Sequence, residues 1–308
     1  MIGSILLQVV LPVFVLIGAG SLLQRLFRLD LYTLAKINFY YITPAAVLMS
    51  MYHSEMSASL LGTVVLFYAL YIAILYALSF ALTRGLKYRR GMRAAFTNSV
   101  LLDNAGNYGM PVNDLAFHSN PLAASLQSLI MSLQSLLTFT YGVLSIQSAK
   151  LKGNYRVVLI GFLKMPVPYA LAIGLLLRAF SVPLPDFIGK PLTYAQQSMV
   201  AVALLTLGAQ IVKYPLRLDR TDIYLSLVLR VIIAPCIGLL LVLSLGIDGI
   251  PGQALIIASG MPTGVNASLL AEEYGNEPDF AAQTVLVSTL VNVVTITALI
   301  TIARSVGV

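Results

Sequence analysis

LLDNAGNYGMPVNDLAF, from Leu101 to Phe117, lies in an apolar region yet places Gly106, Gly109 and Pro111 where a membrane-spanning helix should run unbroken. IIASGMPTGVNASLLAEEY, from Ile256 to Tyr274, does the same with Gly260, Pro262 and Gly264. Proline removes a backbone donor and crowds the preceding turn, and glycine weakens a helix interior, so both stretches read as broken helices. The tripeptide Gly-Met-Pro recurs in them, and Pro111 and Pro262 stand 151 residues apart in a chain of 308. Such irregular backbone is tolerated at membrane depth only where it is buried in protein or lines a water-accessible cavity.

The composition supports a membrane setting. The chain is 58% hydrophobic and 10% charged, with a mean hydropathy of +0.89. A bilayer core requires about 20 mostly apolar residues per helix. Met1–Gln24, Met56–Thr83, Leu115–Ala149, Pro191–Val212, Gly249–Ala271 and Phe280–Ala303 contain no Asp, Glu, Lys or Arg. Ten transmembrane helices are predicted near 4–24, 30–52, 57–83, 93–117, 122–147, 157–179, 192–212, 223–246, 250–274 and 280–303. The expected fold class is an all-α membrane protein: residues 1–150 form a first five-helix repeat and 151–308 a second. An odd number of helices per repeat inverts the second copy, so the broken fourth and ninth helices meet near the midplane.

The net charge of +7 comes from basic residues at the ends of apolar runs rather than along one polar face, which argues against nucleic acid as a partner. Arg25 and Arg28, the group Arg84 to Arg93, Lys150 to Arg156, and Lys213 to Arg220 follow predicted helices one, three, five and seven. Only Arg178, Lys190 and Arg304 fall on the other side. The positive-inside rule then puts both termini outside a multi-pass plasma membrane protein, with the bacterial inner membrane as the expected location. No basic n-region or cleavage site follows Met1, so the first helix reads as retained.

Cys236 is the single cysteine, and His53 and His118 are the only histidines, which excludes a multi-Cys or His-rich metal site within one chain. No HExxH, GxSxG or GxxxxGK[ST] pattern occurs, so neither an enzyme of those classes nor an ATP-driven pump is expected.

Two half-helix N-termini facing each other carry free N–H groups and partial positive charge, which suits a small organic anion such as a carboxylate. Asn104, Asn107 and Tyr108 in the first break, and Thr263 and Asn266 in the second, are the candidate substrate-binding side chains; capping of the half-helices is their other role. Gly109, Pro111, Gly260, Pro262 and Gly264 are the candidate helix-break residues. Asp103 lies ten residues beyond Arg93, hence about 15 Å deeper along a helix, and is the candidate for proton or sodium coupling, with a structural pair to Arg230 as the alternative. Arg230 and Lys164 read as snorkelling to the interface. Asn292, Gln283 and Gln210 read as interhelical hydrogen-bond partners.

At these residues the chain resembles the auxin efflux carrier family, the bacterial relatives of the plant PIN-type auxin carriers. Asn104 stands seven residues before Pro111; Pro262, Gly264, Glu273, Tyr274, Pro278 and Asp279 follow the family's second break; Arg230 precedes Pro235 by five; and Leu207–Gly208 matches a pair on helix seven. The resemblance implies a fold of the sodium/proton antiporter and bile-acid transporter type. It also implies a scaffold of helices 1, 2, 6 and 7, a transport unit of helices 3–5 and 8–10, elevator-type motion and a homodimer. The family exports or exchanges small organic anions, auxin in plants and dicarboxylates or similar acids in bacteria. No cofactor is implied beyond a proton or sodium as coupling ion. A proton- or sodium-coupled uptake carrier for another solute, or an anion channel, is the alternative function.

Overall fold

In the computed structural model, residues 2–149, 160, 163–212, 216–217 and 219–306 are described. The predicted basic loop from Lys150 to Arg156, the early turns expected of helix six, and Lys213 lie outside the described residues. Those described form helices, and the only strand-like pairing among them is a single bridge.

Among the described residues six helices are long and apolar enough to cross a bilayer: α1 (Gly3–Phe27), α3 (Ala58–Gly85), α6 (Pro121–Ile146), α8 (Asp186–Ile211), α9 (Thr221–Leu245) and α12 (Pro278–Ser305). Between α1 and α3, α2 runs as Leu31–Ile37, a π-helical turn at Asn38–Ile42, and Thr43–Tyr52. α7 is the shorter apolar helix Pro166–Ala179. The two sequences that interrupt the apolar pattern each give a pair of short rods. α4 (Arg90–Leu101) is followed by α5, a π-helical turn at Ala105–Gly109 continuing into Met110–Ala116. α10 (Gly249–Ser259) is followed by α11 (Val265–Glu273). At 1.5 Å per residue, none of these four rods reaches much more than half of a hydrocarbon core about 30 Å thick.

Four of the five π-helical turns among the described residues end two residues before a proline: Leu6–Val10 before Pro12, Asn38–Ile42 before Pro44, Ala105–Gly109 before Pro111 and Leu229–Ile233 before Pro235. Proline supplies no N–H to the fourth carbonyl behind it and its ring presses on that carbonyl. Widening the preceding turn to π geometry relieves the clash while the helix continues. The prolines therefore bend helices here without ending them.

Loop side chains close several helix ends. Asp30 caps α2 by accepting from the Tyr32 N–H, and the Thr33 hydroxyl, with that N–H, holds its carboxyl below the usual carboxylate range. Asn120 accepts from the N–H groups of Leu122 and Ala123 at the start of α6. Gly246 ends α9 in the left-handed region, at φ 61°.

Contacts group the chain into two compact units. One contains Met1–Leu61, Ala105–Ser132 and Met165–Tyr214. Inside it α1 and α8 approach so closely that a Cβ on Gly20 would collide with the Leu205 carbonyl and one on Gly208 with the Ile17 carbonyl. Ser21 seals the contact by donating to the Gly208 carbonyl at 2.9 Å. Small residues at such a crossing let two backbones pack in an environment where burial of apolar side chains against one another gains little over lipid. Gly174 plays the same part between α7 and α2, against the Leu48 carbonyl. The other unit contains Gly62–Asn104, Leu133–Lys164 and Pro215–Val308. It holds α4, α10 and α11, and with them the crossing of two unwound segments.

Candidate functional site

α4 begins with Arg90 and Arg93 and then buries an unbroken run from Ala94 to Asn104. Its helical geometry stops at Leu102, whose φ of −91° and ψ of 93° are extended. Asp103 and Asn104 follow, residue types whose short polar side chains compete with the helix for backbone hydrogen bonds. On the other chain segment α10 ends at Ser259, and Gly260 to Gly264 are unwound. The two segments cross as a minimal antiparallel pair. Asp103 bridges Thr263, the Asn104 N–H donates to the Pro262 carbonyl at 2.9 Å, and the Gly264 N–H donates to the Leu102 carbonyl at 2.7 Å. Gly264 is required by this approach, because a Cβ there would overlap the Asp103 carbonyl.

Every carbonyl freed at the ends of α4 and α10 finds a donor, as a buried backbone must. Arg230, fully buried, supplies three of them. Its Nε donates to the Met261 carbonyl at 2.8 Å, Nη1 to Val100 at 3.0 Å and Nη2 to Ser259 at 2.8 Å. Nη2 also reaches the Asp103 carboxylate at 3.4 Å. A guanidinium with five donors in a rigid fork can serve two helix C-termini at once, where its charge also meets the negative ends of both dipoles. Gln134 on α6 donates to the Leu101 carbonyl at 3.2 Å and accepts from the Tyr68 hydroxyl at 2.6 Å. The Thr263 hydroxyl donates to the Ser99 carbonyl, Tyr71 to Ser259, and Asn292 to Gly260, each at 2.8 Å. The Ser288 hydroxyl accepts from the Thr263 N–H at 3.0 Å.

The placement of Arg230 corrects the sequence reading of a snorkelling side chain. The snorkelling reading puts Arg230 at the interface after a short amphipathic segment; the folded chain instead surrounds it with carbonyls, which make burial of the cation affordable. Asp103 is buried beside it, in the structural pair that was the alternative to ion coupling. Asn292 does bond across helices, and Gln283 accepts from the Arg217 N–H at 2.8 Å.

The candidate substrate residues separate into two groups. Asn104 is 5% exposed, and its side-chain Nδ2 has no hydrogen-bond partner among the described residues. Thr263 sits opposite Asp103 in the crossing, but its hydroxyl is committed to Ser99 and does not cap α11. Asn266 is half-buried at the second residue of α11, a helix whose N-cap is Gly264 and which has no side-chain cap. Asn107 and Tyr108 belong to the other unit, in the π-helical turn of α5. There Asn107 accepts from the Asn38 amide at 2.8 Å, and Tyr108 is fully buried with an unpartnered hydroxyl.

The helix-break residues also differ in fate. Gly260, Pro262 and Gly264 lie in the unwound segment. Gly109 and Pro111 lie in continuous helical backbone, and the first break is upstream, at Leu102 to Asn104. Residues that the sequence reading left out carry much of the support: Gln134, Ser99 and Ser288 beside the crossing, and in the other unit Gln127, which donates to the Ala105 carbonyl at 2.8 Å. The legible signal was Gln127 and Gln134, seven residues apart on one face of a charge-free helix. Among the described residues no group of three or more His, Cys, Asp or Glu is placed to hold a metal.

The model of a family described as membrane transport protein matches residues 5–300. The chain belongs to that family. It is the family of the auxin efflux carriers, as the residues around the two breaks suggested. A putative malonate transporter of Rhizobium meliloti (strain 1021) is 27% identical over 242 residues, covering 75% of this chain and 74% of that protein. The protein is thus a multi-pass membrane transporter and not an enzyme.

Proposed function

We propose that this protein is a secondary transporter of a small organic anion, with a carboxylate bound at the crossing of the unwound segments. The observation that carries the reading is the Asn104 amide, buried beside the crossing with a free Nδ2 donor. Buried donors are nearly always satisfied in folded proteins, and one left open next to an uncapped helix N-terminus suits an anion. Asn266, at that N-terminus, would be the second side-chain contact, and Thr263 would hold the backbone in place. The naming of a malonate transporter among the relatives favours a dicarboxylate over auxin.

In this reading the chain has ten spans in two inverted five-helix repeats, with α4 and α5, and α10 and α11, as the halves of the broken fourth and ninth. Transport is by elevator-type alternating access, in the direction of export, across a bacterial inner membrane with both termini outside. Asp103 is the residue through which a proton or sodium would couple. Its partner Arg230 is anchored by three carbonyls without it, so the carboxyl can change its charge while the guanidinium stays in place.

The test is counterflow of radiolabelled malonate in proteoliposomes, with malate and indole-3-acetate as competitors and imposed pH or sodium gradients. Saturable malonate exchange is expected, with Asn104→Ala weakening apparent affinity about tenfold, in line with one lost charge-assisted hydrogen bond. Absence of exchange with any carboxylate, by protein that remains folded in the vesicles, would overturn the reading. Asp103→Asn is expected to abolish the dependence on one of the two gradients.

A further inference from the structure

Away from the crossing, α3, α4 and α6 enclose an open cleft of about 350 Å³ within the same unit. Its wall is aromatic. Tyr76 and Phe80 stack one helical turn apart on α3, with ring centroids 6.1 Å apart, and Tyr141 on α6 meets Tyr76 edge-on at 5.5 Å. Its mouth is cationic. Arg90 and Arg93, on the first turn of α4, both line it, and Thr97 adds a hydroxyl-bearing side chain one turn deeper. Among the described residues the lining contains no acidic side chain. Neither arginine has an ion-pair partner among the described residues, whereas Arg89 beside them is taken by Glu277.

The position of the cleft limits what fills it. Phe80 lies four residues, about 6 Å along α3, before Arg84, the first charged residue at that end. Tyr76 and Phe80 are each 41% exposed and border an outward apolar face that carries Leu66, Leu70, Ala73 and Ala77, the face a bilayer covers. A soluble anion arriving from water would need the arginines but not the aromatic wall. A molecule with an anionic head at the arginines and hydrocarbon along the aromatic rings uses both.

We propose that the cleft binds an acidic phospholipid, with its phosphodiester between Arg90 and Arg93 and the upper part of an acyl chain against Tyr76 and Phe80. Guanidinium forks suit phosphate oxygens, and the N-terminus of α4 adds its own partial positive charge. The volume falls in the range of about 300–1,000 Å³ usual for small-molecule sites.

Native mass spectrometry of the purified full chain tests this, with phosphatidylglycerol, phosphatidylcholine or soluble glycerol 3-phosphate added in detergent. Detergent removes the long-range attraction to a charged bilayer and leaves only site-held ligand. Phosphatidylglycerol is expected to be retained preferentially. Retention should fall about fivefold in Arg90→Gln and again in Arg93→Gln, the order expected for one basic contact each, and stay unchanged in Lys87→Gln, which removes an equal charge outside the cleft. Arg90 is exposed and tests the site without burdening the fold; Phe80→Ala, which leaves every charge in place, should also lower retention. Equal retention of phosphatidylcholine, indifference to both arginines, or glycerol 3-phosphate binding as tightly as the lipid would each overturn the proposal.

Discussion

The two breaks share a tripeptide but not a mechanism. At the second, Gly-Met-Pro is the unwound segment itself: Gly260, Met261 and Pro262 expose their carbonyls to Asn292, Arg230 and the Asn104 N–H. At the first, Gly109, Met110 and Pro111 are helical, and the unwinding occurs at Leu102 to Asn104, where no glycine or proline stands. Asp103 pairs with Thr263, 160 residues further on, whereas the prolines of the two tripeptides stand 151 apart. Proline in a helix is accommodated whenever the turn before it can widen, as at Pro12, Pro44 and Pro235. What unwinds a buried helix here is a supply of donors for the freed carbonyls.

That view is easiest to break at the shared donor. Arg230→Met removes a donor from the Val100 and Met261 carbonyls, from the Ser259 carbonyl that Tyr71 also serves, and from the Asp103 carboxylate, and should cost about 3–5 kcal/mol, read as a loss of folded protein in thermal unfolding in detergent. Arg230→Lys should recover little of it, since one ammonium cannot reach both helix ends as the fork does. Stability of Arg230→Met close to wild type would remove the argument that donors make the break.

The glycines offer a sharper contrast. Gly264→Ala forces a Cβ into the Asp103 carbonyl and should destabilise by about 1–3 kcal/mol. Gly106→Ala, in the π-helical turn, meets only the sulfur of Met131, at 3.1 Å, at the flexible end of a side chain, and should stay within about 1 kcal/mol of wild type. The same unfolding assay compares them, and equal losses would mean that the π-helical turn is as tightly constrained as the crossing.

Gln134→Leu removes the donor to the Leu101 carbonyl and the acceptor of Tyr68, so about 1–3 kcal/mol should be lost. The smallest effect is expected at Pro111→Ala, which restores an N–H to a helix that already runs through the position. A change under about 1 kcal/mol is expected, with no loss of malonate exchange. A large loss of exchange there would return the first break to Gly-Met-Pro.

Much of the fold was legible because a bilayer imposes simple rules. Charge-free runs marked five of the six long helices, while the run Gly249–Ala271 became the broken pair α10 and α11 and the sixth long helix, α9, carries Arg230 within it. The segment from Gly260 to Gly264 was legible for the same reason, since Gly, Pro and Gly within five residues leave few ways to stay helical. The first break was misplaced because propensity points at Gly109 and Pro111, while Asp103 and Asn104 look like ordinary polar residues whose effect depends on neighbours distant in sequence. Arg230 was misread for a related reason. A cation in an apolar run is costly on its own, and only the carbonyls of Val100, Ser259 and Met261 make its burial favourable.

The sequence by itself determined that this chain lives in a membrane, that its apolar helices are interrupted twice, and which transporter family it belongs to. These follow from local composition and short motifs, which act within one helix at a time. Tertiary structure alone decided where the first helix unwinds, which arginine holds both ends, and which candidate side chains share the crossing. Those depend on hydrogen bonds between segments more than a hundred residues apart, such as Asp103 with Arg230 and Thr263 with Ser99, and no local rule contains them.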